Sequence, residues 1–181
     1  MKIIETNLKR CFILVPTIFK DERGEFFESF SKKIFEDYLG RSIDFVQDNH
    51  STSRKGVLRG LHFQKGKDAQ AKLVRVVKGE VLDVVVDLRK ESDTFGKHFK
   101  TKLSEHNSRS LFIPKGMAHG FLALTEEVIF TYKCDAYYNE ESEAGIKYND
   151  PDLNIDWEID KKLIILSSKD KQLPLWKDLK I

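Results

Sequence analysis

Two of the five histidines stand where the chain can bend. His62 lies in Gly56-Val57-Leu58-Arg59-Gly60-Leu61-His62-Phe63-Gln64, and His119 in Pro114-Lys115-Gly116-Met117-Ala118-His119-Gly120-Phe121. Glycines at 116 and 120 permit tight bends that expose a ring. Residues two apart on a strand share a side. Leu58, Gly60, His62 and Gln64 are therefore expected on one face, and Arg59, Leu61 and Phe63 on the other. A bulge near Gly60 would bring Arg59 round to His62. Two histidines fall short of a catalytic metal site, which usually has at least three protein ligands; an Asp or Glu would have to complete one. No Ser or Cys stands in an activating pattern. The chemistry that suits these residues is proton transfer at a carbon next to a carbonyl. It needs a base with a pKa near neutrality, which His62 supplies. It needs an acid, for which Tyr132 in Phe130-Thr131-Tyr132-Lys133 is a candidate. It needs a cation on the developing enolate oxygen, Lys72 or Arg59. A carboxylate behind the histidine would fix its tautomer, and Asp170 is a candidate. Taken singly, each has a plainer alternative: His62 satisfied by a backbone group, Tyr132 a core aromatic, Lys72 a strand-face charge, Asp170 a helix cap.

The elements that must position them are mostly strands. Leu73–Val77 and Val81–Asp87 flank Lys78-Gly79-Glu80, the pattern of a hairpin. Ser110–Ile113, Gly120–Leu124 and Val128–Cys134 follow at close spacing. This predicts an all-β antiparallel sandwich or barrel. A doubly wound α/β fold needs a helix after each strand, and residues 70–134 leave no room for that. One early helix is expected at Ser31–Leu39, capped by Ser31, ended by Gly40, with Ile34, Phe35, Tyr38 and Leu39 on one face. From about residue 157 the chain is expected to pack as irregular structure with short helices.

The length of 181 residues, without repeats or linkers, fits a single domain spanning 1–181. Lys+Arg 31 against Asp+Glu 29 gives a net charge of +2, which removes the main argument for nucleic-acid or polybasic membrane binding. Apolar runs are too short to span a bilayer, and Met1-Lys2-Ile3-Ile4-Glu5 turns charged too early for a signal peptide. Cys11 and Cys134 lie far apart and outside any CxxC pattern, so two reduced, buried thiols in a cytoplasmic protein are expected.

The strand pattern and the two histidine segments resemble the cupin jelly roll. In metal cupins the first motif carries two histidines one residue apart; here it reads His62-Phe63-Gln64. More specifically, the chain resembles the dTDP-4-dehydrorhamnose 3,5-epimerase family. The matching stretches are Asp21–Gly24, Gln47–Ser51, Gly56–Gln64, Gln70–Gly79, Asp87–Arg89, Ile113–Leu122, Tyr132–Cys134, Asn149–Leu153 and Ser168–Asp170, which run in family order from about residue 4 to 175. The resemblance implies a cupin-type jelly-roll sandwich without metal or cofactor, usually a homodimer, acting on a dTDP-sugar. It implies inversion of C3 and C5 of dTDP-4-dehydro-6-deoxy-D-glucose; related epimerases invert one carbon only. By position, His62 resembles the family's base, paired with Asp170, Tyr132 its acid, and Lys72 the residue facing the C4 oxygen. Arg23, Glu28, Gln47, Asp48 and Asn49 match substrate contacts, as do Arg59, His119, Glu143 and Lys169. Phe26 and Tyr138 resemble the nucleotide-binding surface. Met117, Asp135 and Tyr148 depart from the family's usual Phe, Thr and Trp.

Overall fold

The computed structural model describes residues 1–179. Two antiparallel sheets lie face to face, the cupin-type sandwich expected. One has six strands in the spatial order β1 (Lys2–Glu5), β2 (Phe12–Val15), β10 (Ser110–Ile113), β7 (Lys72–Lys78), β12 (Glu127–Cys134) and β5 (Gln47–Arg54). The other has five, in the order β13 (Glu143–Gly145), β6 (Leu58–Gln64), β11 (Met117–Ala123), β8 (Glu80–Asp87) and β9 (His98–Ser104). A separate hairpin, β3 (Phe19–Asp21) and β4 (Gly24–Phe26), stands apart from both sheets.

Period-two alternation sorts side chains into three apolar layers. Ile13, Val74, Val76, Leu111 and Phe130 from the six-stranded sheet meet Val81, Val85, Leu103 and Phe121 from the five-stranded sheet inside the sandwich. The outer face of the six-stranded sheet puts Phe12, Leu14, Leu73 and Phe112 under Phe35 of helix α1 (Lys32–Leu39). The outer face of the five-stranded sheet puts Leu82, Val84, Val86, Ala118 and Leu122 under Ile146, Leu153, Ile155 and Trp157. β8 is thus buried on both faces, which explains its nearly unbroken apolar run.

Two expectations need correction. β7 and β8 do not form a hairpin: β7 pairs with β10 and β12, whereas β8 pairs with β11 and β9. Gly79, at φ 80°, carries the chain from one sheet to the other. A Cβ there would meet the Glu127 carbonyl oxygen at 2.3 Å, so a side chain has no room. A corner between sheets and a hairpin turn both need a positive φ, and the sequence signal is the same for each. Helix α1 starts after Ser31 and ends at Gly40, which is left-handed at φ 66° and bonds Glu36 O. Ser31, however, makes no side-chain cap, and Phe35 alone is buried; Ile34 stays 38% exposed. Beyond residue 157 the chain forms single turns, among them α2 (Ser168–Lys171), as expected. No helix of the described residues is long and apolar enough to cross a membrane.

Candidate active site

The site is built around one close approach of two backbones. Gly60 in β6 has φ +117°, and a Cβ there would sit 2.7 Å from both the Gly120 Cα and the His119 carbonyl oxygen of β11. Only glycine allows β6 and β11 to touch at this point. The register between these strands shifts there, between His119 and Phe121. The shift is the irregularity expected near Gly60, and it brings Arg59 round: Arg59 joins Leu58 and His62 on the wall of a cavity of about 610 Å³, while Leu61 and Phe63 pack in the outer core. His62 and His119 are cross-strand partners on that wall.

His62 Nε2 lies 2.6 Å from Asp170 Oδ1. Asp170 sits on α2, whose start is capped by Ser167: Asp170 N donates to Ser167 Oγ at 3.0 Å. Burial alone would raise the Asp170 carboxyl. The His62 hydrogen bond and charge, Ser167 and the Gly60 N–H outweigh it and hold the group below the usual carboxylate range. An ionised Asp170 draws the imidazole proton to Nε2 and leaves Nδ1 as the basic nitrogen.

Tyr132 and Lys72 line the same cavity, the Lys72 Nζ 5.7 Å from the Tyr132 ring centroid. Burial raises the Tyr132 hydroxyl above its ordinary pKa, so it is a protonated acid at neutral pH. Burial also pulls the Lys72 ammonium down, against the opposing influence of Glu143 and Asp83. Cys134 itself is pushed up to about 11 by burial, which keeps it a neutral thiol. Arg59 is anchored through Nε to Ser53 Oγ at 3.1 Å and Nη2 to Thr52 O at 3.2 Å. Behind His119 stands a residue that the sequence reading missed. Asp83 Oδ2 meets His119 Nε2 at 2.9 Å, the carboxyl is fully buried, and burial drives its pKa up. Among the described residues its other oxygen has no partner. The one signal in the sequence was a lone carboxylate within the apolar run Val81–Val86. Among the described residues, no group of three or more His, Cys, Asp or Glu is arranged to hold a metal ion.

At the rim, Glu143 Oε2 accepts from the Tyr138 hydroxyl at 2.5 Å and also from the Lys169 ammonium. Burial alone would raise Glu143, but Lys169 and Tyr138 hold it below its ordinary value. Asn49 lines the cavity, and Gln47 Nε2 donates to Asn49 Oδ1 at 2.9 Å. Gln47, Glu143 and Tyr138 do not line the cavity themselves but join it through Asn49 and Lys169, and four further expected contacts lie away from it. Asp48 faces the other side of β5, where its carboxylate takes Lys133 Nζ at 2.9 Å. Arg23 and Phe26 belong to the β3–β4 hairpin, with Phe26 72% exposed and Arg23 bound to Asp21, and Glu28 is exposed just beyond it. The period-two rule decides Asp48: Gln47 and Asn49 cannot share a side with the residue between them.

The dTDP-4-dehydrorhamnose 3,5-epimerase family model matches residues 5–178. A relative from Salmonella typhimurium bearing that name is 51% identical over 97% of this chain and 95% of its own. The crystal structure of dTDP-4-dehydrorhamnose 3,5-epimerase from Elizabethkingia anophelis superposes with a TM-score of 0.95 at 53% identity, covering 98% of this chain and 97% of that one. The Legionella pneumophila dTDP-6-deoxy-D-glucose-3,5-epimerase, solved in complex with dTDP-4-keto-L-rhamnose, gives a TM-score of 0.94 at 48% identity, covering 99% and 94%. A family model that matches nearly the whole chain, and relatives about half identical to it across their own length, show that the chain belongs to the dTDP-4-dehydrorhamnose 3,5-epimerase family.

Proposed function

We propose that the protein is an isomerase that inverts C3 and C5 of dTDP-4-dehydro-6-deoxy-D-glucose, giving dTDP-4-dehydro-L-rhamnose for dTDP-L-rhamnose synthesis. The placement of His62, Lys72 and Tyr132 around one cavity carries this reading. His62, oriented by Asp170, takes the proton from a carbon beside the C4 ketone. The electron pair moves onto the C4 oxygen, where Lys72 stabilises the enolate. Tyr132 returns a proton from the opposite side of the ring, which inverts the carbon. Both carbons flank the same ketone, so one enolate-stabilising cation serves both steps. Arg59 suits the diphosphate, because a guanidinium fork matches phosphate oxygens. No cofactor takes part in this scheme. Incubating the protein with dTDP-4-dehydro-6-deoxyglucose in D2O tests it: deuterium should appear at C3 and C5 with inversion. Label at one carbon only would reduce the activity to a mono-epimerase, and no label would remove the reading.

The active form in this proposal is a homodimer in the cytoplasm. The free edges of β1 and β5 need cover, and the projecting β3–β4 hairpin carries Arg23 and Phe26 away from their own cavity. A second copy offers a site for that arm. Sedimentation velocity at micromolar concentration should give a two-chain species. A 21.1 kDa particle alone would contradict it.

A further inference from the structure

Gln64 occupies the position at which a metal cupin places its second histidine, yet its amide does not face a metal site. It is 6% exposed, two residues along β6 from His62. Its Nε2 donates to Asp68 O at 2.6 Å and to Tyr137 O at 3.2 Å. Its Oε1 accepts from Asn139 N at 2.7 Å. Between those two residues, Tyr138 N donates to Gln47 Oε1 at 2.9 Å. Residues 137–139 belong to no strand or helix, so these side chains satisfy backbone groups that a sheet would otherwise pair. The direction of this segment fixes where the Tyr138 ring stands at the rim, with its hydroxyl on Glu143.

We infer that Gln64 is a positioning residue for the nucleotide end of the substrate, acting by stapling the Tyr137–Asn139 backbone to the strand that carries His62. This rests on the proposed function together with the family resemblance, which implies that Tyr138 belongs to the nucleotide-binding surface. One strand then holds both the base and the wall against which the far end of the substrate lies. The distance between them is set by β6 rather than by a free loop.

The test is a double-mutant cycle on the full chain, read as the Kd of dTDP by calorimetry. Gln64→Met keeps the side-chain volume and removes both the donor and the acceptor. It should raise the dTDP Kd on the order of tenfold, the range for stranded buried backbone groups. Tyr138→Ala should weaken dTDP comparably, and the double variant should bind little worse than either single one, because the two residues act as a unit. With the sugar substrate, KM should rise more than kcat falls. Additive losses, or equal falls in kcat and affinity, would overturn the inference, since a general loosening of the fold behaves that way. A Tyr138→Ala protein with unchanged dTDP affinity would sink the nucleotide-facing reading and this inference together. Weakening by Tyr138→Ala but not by Gln64→Met would sink the inference alone. If Gln64→Met does not fold, Gln64→Asn, whose amide falls one methylene short, carries the same expectations.

Discussion

His62→Ala is expected to abolish solvent exchange and inversion at both C3 and C5, lowering the rate by about 100- to 10,000-fold, the range for general acid–base catalysis. Every cycle begins with proton removal, so no later group can restore the flux. The substitution also leaves the buried Asp170 carboxylate without its imidazole partner. A drop in Tm is therefore expected and has to be separated from the kinetic effect. Binding of dTDP supplies that control: a folded variant retains it, because the nucleotide does not touch the proton-transfer step. Deuterium uptake at either carbon, at a rate near that of the parent protein, would take His62 out of the mechanism.

Tyr132→Phe separates acid from base. The variant lacks only the group that reprotonates the far face, so His62 still forms the enolate and returns a proton to the side from which it came. Deuterium should enter the sugar while inversion falls by about 100-fold or more at the carbon that Tyr132 serves. The ring stays against Phe130, 6.2 Å away between centroids, so packing is conserved and the loss can be assigned to the hydroxyl. Inversion of both carbons at the normal rate would make Tyr132 a wall residue. Equal loss of exchange and inversion, with substrate still bound, would place the hydroxyl before enolate formation.

Local pattern rules served best where one face of an element is buried and one is not. The sandwich and the end of α1 at Gly40 were readable because period-two strands and a left-handed glycine are local facts. Strand partners were not local. Lys78-Gly79-Glu80 reads as a hairpin turn, and only the sheet order reveals that it joins two layers. The meeting of His62 with Asp170 was singled out by the need for a carboxylate behind the base and by the family resemblance, since no periodicity links residues on β6 and α2. Asp83 escaped notice because a strand buried on both faces hides its orientation, so nothing marked the carboxylate as inward-facing. The hairpin residues Arg23 and Phe26 show a further limit. Their types suit a diphosphate and a base, but residue type does not say whose cavity they serve.

The His62–Asp170 contact joins residues 108 positions apart in the chain, and the cavity draws on β5, β6, β7, β11, β12 and α2. Closing loops of that size costs conformational entropy before any contact rewards it. Proteins dominated by such distant pairings fold on the millisecond-to-second scale rather than in microseconds. The base, its carboxylate and the tyrosine are spread from residue 62 to residue 170, so they share one cavity only when most of the chain has folded. During refolding, catalytic competence should therefore lag the recovery of strand content and return only when both sheets and the final turn have docked. Enzyme turnover thus becomes a reporter of complete folding rather than of partial order.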